Sequence, residues 1–455
     1  MTETDGLPTP QRHWVMACAL GGFALTNLDS AIANIALPTL SHEFNASASA
    51  TIWVVNIYQL AMACCLLPAA ALGGMFGIKR VYAFGLILFT LASVGCAFAP
   101  TLPALVGARL IQGIGGACVS GLGPALVRVV FPRSKVGQGL GLVALVIALS
   151  GVLGPTIAAA ILSVATWPWL FLVNVPVCLI AAPIFMAMAP ATPGNGKGFD
   201  YPGAFLSAIA LGLIVIGVGE LGGEGRNAAL GAIGVGIAFF VWLIAHQNRR
   251  ETPLLPLDLV RIPLFALSMA TSSCSYCAQI LAYISLPFLF QVEMHHTAMM
   301  TGLLVTPWPI AVAVAAPIAG RLIGRYPAAI LGSVGLAVMT VGLALLATMG
   351  KAPADWDIAW RMAICGVGFG FFQTPNNTTL MTAGPVSRSA AASAMLAIAR
   401  LLGWSFGSAL VALLFAVQGG AATVTCLIAA AVVSGLGAVI SASRGLVGKP
   451  AAAAV

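Results

Sequence analysis

The chain has 455 residues, of which 60% are hydrophobic and 7% are charged, and its formal net charge is +8. Soluble domains carry roughly 25% charged residues, so this composition excludes an ordinary soluble protein. Apolar runs of about 20 residues, separated by short polar segments, predict an all-α polytopic membrane protein.

Fourteen apolar segments are predicted to span the membrane. They are 14–37, 52–74, 82–99, 103–128, 137–162, 169–188, 203–220, 227–246, 264–290, 298–320, 327–349, 358–381, 389–416 and 420–441. The predicted organisation is a tail at 1–13, a six-helix bundle at 14–190, two inserted helices at 203–246, a second six-helix bundle at 264–441 and a tail at 442–455.

The positive charges follow this topology. With both termini in the cytoplasm, fifteen of the twenty Lys and Arg residues fall on the cytoplasmic side. This bias is typical of membrane insertion, so the basic balance indicates orientation in a cytoplasmic (inner) membrane. Nucleic acid is therefore not an expected partner, and the lipid bilayer is.

Asp29 lies well inside the first predicted span. A carboxylate there is costly unless it is paired, solvated or protonated, so it indicates function. The other eleven acids fall in loops, in tails or at span ends. Asp29 is thus the candidate proton-coupling carboxyl, although a structural acid bonded to the backbone or to Asn27 is the alternative.

Two arginines fall within predicted spans, Arg109 and Arg400. Because arginine does not lose its charge, Arg109 needs a partner, and Asp29 is the natural one. A packing arginine bonded to carbonyls is the alternative. For Arg400, a position near the cytoplasmic boundary and a guanidinium that reaches towards water are expected.

Polar residues within the spans are candidates for an amphipathic substrate cavity. They are Asn27, Asn56, Tyr58 and Gln59 in the first half, and Tyr276, Gln279, Tyr283, Gln373, Asn376 and Asn377 in the second. Hydrogen bonding between helices is an equally good explanation for each of them.

No cofactor and no metal site are expected. Cys274 and Cys277 have metal-like spacing, but a second pair of ligands is missing beside them, and His295 and His296 fall in a short external loop. No phosphate-binding G-x-x-x-x-G-K-[ST] sequence is present, and no nucleophile–base pair stands out. An enzyme is not expected, and transport would draw on an ion gradient or on the gradient of the substrate.

The chain contains weak internal echoes. Gly77, Arg109 and Arg133 recur as Gly324, Arg361 and Arg388, each with similar neighbours and at nearly constant spacing. These echoes predict two related six-span halves with two inserted spans, which is a transporter architecture with a substrate site between the halves.

Five segments, in order, read LDSAIANIALP (28–38), GIKR (77–80), RLIQGIGG (109–116), GVLGP (151–155) and WLFLVNVP (169–176). They resemble the motifs of the fourteen-span drug:proton antiporter branch of the major facilitator superfamily. The resemblance implies the major-facilitator fold, two six-helix bundles plus two inserted helices. It covers the whole chain and identifies no substrate.

The resemblance also implies residue roles. Arg109 would hold Asp29 ionised until protonation weakens the pair. Residues Gly151, Gly154 and Pro155 form the antiporter motif, for which simple helix packing is the alternative. Residues Gly77, Lys79 and Arg80 belong to the loop between spans 2 and 3, where Gly74 stands in place of the usual acid.

The function that follows is a secondary active transporter, a proton-coupled antiporter that exports small amphipathic or cationic compounds by alternating access. Its partners would be a small-molecule substrate and protons, and it is expected to be a monomer. A proton-coupled symporter or a uniporter for a nutrient or metabolite is the alternative within transport. A non-transporting membrane scaffold is the alternative outside it.

Overall fold

The computed structural model describes residues 6–132, 135–192, 200–222, 225–249, 257–323, 325–350, 353–383 and 389–446. In these residues the regular elements are helices, with one isolated bridge between Ile323 and Tyr326. Helices suit a membrane because their backbone groups bond within one segment. The echo positions Arg133, Gly324 and Arg388 lie outside the described residues.

The chain forms two compact units, Met1–Leu255 and Pro256–Val455. The helices described in the first unit are α1 (Thr9–Glu43), α2 (Ala48–Phe76), α3 (Ile78–Ala97), α4 (Leu102–Gly121), α5 (Gly123–Val130), α6 (Val136–Val164), α7 (Trp169–Leu172), α8 (Asn174–Met188), α9 (Tyr201–Glu220) and α10 (Arg226–Gln247).

The helices described in the second unit are α11 (Leu257–Val260), α12 (Pro263–Phe288), α13 (Ala298–Val305), α14 (Pro307–Leu322), α15 (Ala328–Ala347), α16 (Asp355–Thr382), α17 (Ser389–Gln418) and α18 (Ala422–Ser443). A π-helical turn, Leu289–Glu293, follows α12, and a 3-10 turn, Gly419–Ala421, separates α17 from α18.

Among the described residues, eleven segments are long and apolar enough to cross a membrane. One of them, Met395–Ser443, runs through parts of two helices, and α6 contributes only the shorter apolar segment Leu153–Val164. The polar helix α16 is not among the eleven. A multi-pass helical membrane protein is therefore established, and the number of fourteen spans remains a prediction.

The same packing pattern occurs in both units. In the first unit α4 packs against α2 and α3, α1 packs against α6 and α8, and α3 also contacts α8. In the second unit α16 packs against α14 and α15, α12 packs against α17 and α18, and α15 also contacts α18. The helices α9 and α10 pack on each other, and α9 also packs on α2.

The turns that lead into α2 and α13 also correspond. Asn45 and His295 each adopt a positive φ, 46° and 57°, and each stands two residues before an N-cap hydroxyl. Ser47 Oγ accepts from the N–H of Ala50 at 3.2 Å, and the N-cap of α13 is made in the same way. His295 therefore occupies a turn position of the kind that asparagine favours.

Close helix contacts at glycines show which residues of the two units are equivalent. A methyl group at Gly113 would collide with the backbone carbonyl of Tyr58, and one at Gly366 would collide with that of Trp308. Gly113 and Gly366 are therefore equivalent positions on α4 and α16.

This register corrects one of the predicted echoes. Arg109 precedes Gly113 by four residues, so its equivalent in the second unit is Met362 and not Arg361. Arg361 lies near the start of α16, where its guanidinium bonds the carboxylate of Asp357 at 2.8 Å and the carbonyl of Leu345. The sequence comparison placed the equivalent of Arg109 one residue too early, because it matched two arginines rather than two glycine contacts.

A polar cluster joins the start of α9 to the end of α10. Asp200 Oδ1 accepts from the N–H of Gly203 at 3.0 Å and bonds His246 Nε2 at 2.9 Å, and its Oδ2 accepts from Gln247 Nε2 at 2.8 Å. Burial raises the pKa of Asp200, but the hydrogen bonds from His246, Gly203 and Gln247 outweigh it, so this pKa lies below its usual value. The ionised carboxylate thus fastens the start of α9 to the end of α10.

Candidate functional site

Asp29 is buried in the first unit, with 1% of its surface exposed. Its Oδ2 accepts a hydrogen bond from Arg109 Nη1, which makes the ion pair that charge balance predicted. Its Oδ1 accepts from Gln112 Nε2 at 3.0 Å and from Asn174 Nδ2 at 2.9 Å. The carboxylate is thus surrounded by three donor groups from α4 and α8.

Arg109 is fully buried and held from several sides. Its Nε donates to the carbonyl of Val54 at 3.0 Å, and its Nη1 also donates to Gln112 Oε1 at 2.6 Å. The ring of Tyr58 lies 4.1 Å from Cζ, and that of Phe171 lies 5.7 Å away. Aromatic faces attract a cation most strongly where water is absent.

A second layer of hydrogen bonds orients these groups. Gln112 Nε2 also donates to Ser93 Oγ at 2.9 Å, and Tyr58 Oη donates to the carbonyl of Thr26 at 3.0 Å. Protonation of Asp29 would place a new donor among existing donors, so the network would have to rearrange. The arrangement is chemically suited to couple a proton to a change in helix packing.

The second unit has no ion pair at the equivalent position. The contacts of Gly154 with Ala31 match those of Gly407 with Ile280, so the equivalent of Asp29 is Ala278. By the α4–α16 register, Met362 and Cys365 stand where the first unit has Arg109 and Gln112. The charged network therefore has no counterpart at the equivalent described positions of the second unit.

The other predicted cavity residues of the first unit lie in packed surroundings. The ring of Tyr58 packs on Arg109, and its surface is 0% exposed. Asn27 is half-buried and donates to the carbonyl of Phe23, on its own helix, at 2.7 Å. Asn56 and Gln59 are buried in α2.

Three of the predicted second-half residues come together. Gln373 Nε2 donates to Tyr276 Oη at 3.1 Å, and Gln279 Oε1 accepts from Trp404 Nε1 at 3.3 Å. The rings of Tyr276 and Trp404 meet edge to face, with centroids 6.0 Å apart. Residues from α12, α16 and α17 thus form one aromatic and amide cluster.

Asn376, one of the residues predicted to line the cavity, is enclosed among helices. Its Nδ2 donates to Ser272 Oγ at 2.7 Å, and its Oδ1 accepts from Arg444 Nη1 at 2.6 Å. Arg444 also donates to Ser268 Oγ at 3.1 Å and is 3% exposed. Arg444 therefore joins α12 and α16 to the end of α18, and the cytoplasmic tail at 442–455 stays a prediction.

The remaining two candidates are half-buried. Tyr283 packs edge to face on Trp308, with ring centroids 5.1 Å apart. Asn377 lies on α16 beside the enclosed Asn376.

Arg400, which is expected near the cytoplasmic boundary, lies within the helix α17. It stands about a third of the way along α17 and is only half-buried, and its Cζ lies 5.2 Å from the ring centroid of Trp404. It therefore borders the aromatic and amide cluster.

The antiporter motif lies within α6, which continues through Pro155. A methyl group at Gly154 would collide with Cβ of Ala31, two residues beyond Asp29. Small residues of this kind let two helices approach closely. The helix-packing explanation of Gly154 therefore has direct support, and Gly151 lies three residues before it in the same helix.

Gly77 connects α2 directly to α3. Its φ is +93°, a region that L side chains rarely adopt, and a methyl group there would collide with the carbonyl of Thr192. The N–H of Lys79 donates to Thr192 Oγ1 at 3.5 Å, and Arg80 is exposed. The loop thus packs on the segment after α8, and the neighbouring Gly74 supplies no carboxylate.

Replacing Gly77 by alanine is expected to lower the free energy of unfolding by about 1–3 kcal/mol, because a positive φ and a backbone collision coincide. The thermal midpoint of the purified protein measures the loss. Gly74→Ala is the control, because Gly74 is exposed within α2 and has an ordinary helical φ. Equal midpoints for the two variants would contradict the prediction.

Sequence reasoning missed Gln112 and Asn174, although both lie in segments that it had quoted. Amides in apolar helices are individually ambiguous, so only the contact with Asp29 reveals their importance. One signal was available for Gln112, because residues three apart on a helix share a face and Gln112 follows Arg109 by three. Asn174 is separated from Asp29 by 145 residues, and no local pattern joins them.

Repeated helix packing, apolar membrane-length helices and a buried charge network define a polytopic membrane protein of the transporter class. The chain belongs to the Major Facilitator Superfamily, whose family model matches residues 19–408. The predicted superfamily is thereby confirmed.

Several relatives support the assignment. The chain is 44% identical over 445 residues to the uncharacterized transporter YebQ of Escherichia coli, covering 97% of each chain. It is 31% identical to the multidrug resistance protein Stp of Mycobacterium tuberculosis, covering 87% of this chain and 74% of Stp. It is 28% identical to the riboflavin transporter RibZ of Clostridioides difficile, covering 89% of each.

Solved structures agree in fold. A bacterial homolog of the human lysosomal transporter Spinster matches with a TM-score of 0.67, covering 97% of each chain at 14% sequence identity. Relatives and structures together establish a membrane transporter of this superfamily, and their different names leave the substrate open.

Proposed function

We propose that the protein is a proton-coupled antiporter that exports small amphipathic compounds, with Asp29 as the carboxyl that binds the proton. The observation that carries the proposal is the buried network of Asp29, Arg109, Gln112 and Asn174 inside a transporter of this superfamily. Such a network is costly to bury, so a role in transport accounts for it better than packing does.

The proposed coupling uses the two protonation states of Asp29. Ionised, it binds Arg109 and fixes α1 against α4. Protonated, it loses the ion pair, and Arg109 keeps the carbonyl of Val54 and the ring of Tyr58 as partners. A proton can shift a conformational equilibrium only if it binds one state better, and the loss of this pair supplies such a difference.

The proposal includes the finer topology. We infer fourteen spans with both termini in the cytoplasm, a monomer in the inner membrane, and six-helix bundles at 14–190 and 264–441 flanking the insertion at 203–246. The repeated helix contacts support the two bundles, and the bias of the basic residues supports the orientation.

Uptake or facilitated passage of a metabolite is the second candidate. The likeness to a protein named as a riboflavin transporter favours it, and the likeness to a multidrug resistance protein favours export. The close contact of Gly154 with Ala31 is compatible with both.

The direction of proton movement separates the two candidates. Purified protein would be reconstituted into vesicles that contain a pH-sensitive dye, and compounds that it exports from cells would be added to one side. Antiport predicts protons moving opposite to the compound, and a proton ionophore should abolish accumulation. Protons moving with the compound, or accumulation that the ionophore leaves unchanged, would overturn the proposal.

A further inference from the structure

The half-buried Arg400 lacks an acidic partner among the described residues. Its Nε is buried without a hydrogen-bond partner, and none of the ion pairs in the described part of the chain includes it. A guanidinium within a membrane span is costly and keeps its charge. An anion supplied from outside the chain would offset that cost.

The residues around Arg400 present aromatic faces and amides. Trp404 lies 5.2 Å from Arg400 Cζ and contacts Tyr276, whose ring also packs edge to face on Phe369 at 5.6 Å. Gln279 bonds the indole of Trp404. Sites for small molecules commonly combine apolar and aromatic walls with a few placed polar groups.

The fold itself does not require Arg400 and Trp404. They stand seven and three residues before Gly407, and in the first unit the residues at the same distances from Gly154 are Ile147 and Gly151. Helices in the same arrangement therefore pack without a cation or a large ring at these two positions.

We propose that Arg400, Trp404, Tyr276, Gln279 and Gln373 form a substrate subsite for a planar organic anion, such as an aromatic carboxylate. The guanidinium binds the carboxylate, the two rings contact the aromatic plane, and the amides bind polar substituents. This inference rests on the proposed transport function and narrows it, because a permanent cation would be repelled by Arg400.

The test compares three probes of one shape and different charge: naphthoate, naphthamide and naphthylmethylammonium. Their affinities for the purified full-length protein would be measured by calorimetry at neutral pH. We expect naphthoate to bind at least about tenfold more tightly than naphthamide, as for a hydrogen bond to a charged group. Arg400→Gln should remove this difference, and Arg400→Lys should keep part of it.

Arg321→Gln, at an exposed arginine near the end of α14, is the control and should behave as the wild type. Thermal unfolding would show that each variant is folded. Tighter binding of the cation, equal binding of naphthoate and naphthamide by the wild type, no binding of naphthoate, or an unchanged preference in a folded Arg400→Gln variant would each overturn the subsite.

The two proposals fail separately. Binding of naphthoate through Arg400 does not depend on the ion pair in the first unit, so Asp29→Asn should keep the preference for the anion. A preserved preference without proton antiport would overturn the proposed function and leave the subsite standing. Proton antiport without the preference would overturn only the subsite.

Discussion

Replacing Arg109 by methionine is expected to lower the free energy of unfolding by about 3–5 kcal/mol, because it leaves the buried carboxylate of Asp29 without its counter-ion. The second unit carries Met362 at the equivalent position, so a methionine fits between these helices. The loss of stability should therefore come from the unpaired charge of Asp29 rather than from a poor fit of the methionine side chain. Thermal unfolding of the purified protein measures it.

The double variant Asp29→Ala with Arg109→Met should recover most of that loss, since it copies the Ala278 and Met362 arrangement of the second unit. Replacing a buried ion pair by apolar residues is often neutral for stability. Arg361→Met is the control and should cost about 1 kcal/mol or less, because its pair with Asp357 is near the end of a helix. A double variant as unstable as the single one would contradict the charge argument.

Replacing Asp29 by asparagine is expected to abolish proton-driven export. Asparagine has nearly the shape of aspartate, and its amide oxygen can still accept from Gln112 or Asn174. It cannot bind and release a proton, so the two states that coupling requires are lost. Export of a panel of compounds, with the proton gradient imposed and collapsed, measures the effect.

Asp355→Asn makes the same chemical change at an exposed position near the start of α16 and should leave export unchanged. Because Asp29→Asn also leaves Arg109 without a counter-ion, its folding must be checked by thermal unfolding. Export that still follows the proton gradient in a folded Asp29→Asn variant would remove Asp29 from the mechanism.

The helical architecture could be read from the sequence because long apolar runs in a membrane leave the backbone few alternatives. The register of the repeat could not. Two arginines, Arg109 and Arg361, looked equivalent. The contacts of Gly113 and Gly366 show that the residue equivalent to Arg109 is Met362. Glycines that permit close contact determine register, and a sequence does not show which glycines are in contact.

Within the site, the pairing of Asp29 with Arg109 was predictable because two buried opposite charges have few other ways to offset their cost. A buried amide has no such need for an oppositely charged partner. Asn376 and Asn174 look alike in sequence, yet one is bonded to Arg444 and the other to Asp29. Arg444 was assigned to a tail because its position after the last apolar run is typical of a cytoplasmic anchor.

The contacts of Asp29 also set an order of events during synthesis. Its partners are separated from it by 80 residues at Arg109 and by 145 at Asn174, and all of them precede the inserted hairpin. At about 5–20 residues per second, the ribosome needs roughly 4–16 s to reach Arg109 after Asp29. During that interval Arg109, the partner of the acid, has not yet been made. Once Asn174 has emerged, the whole charge network can close, well before the second unit has been translated.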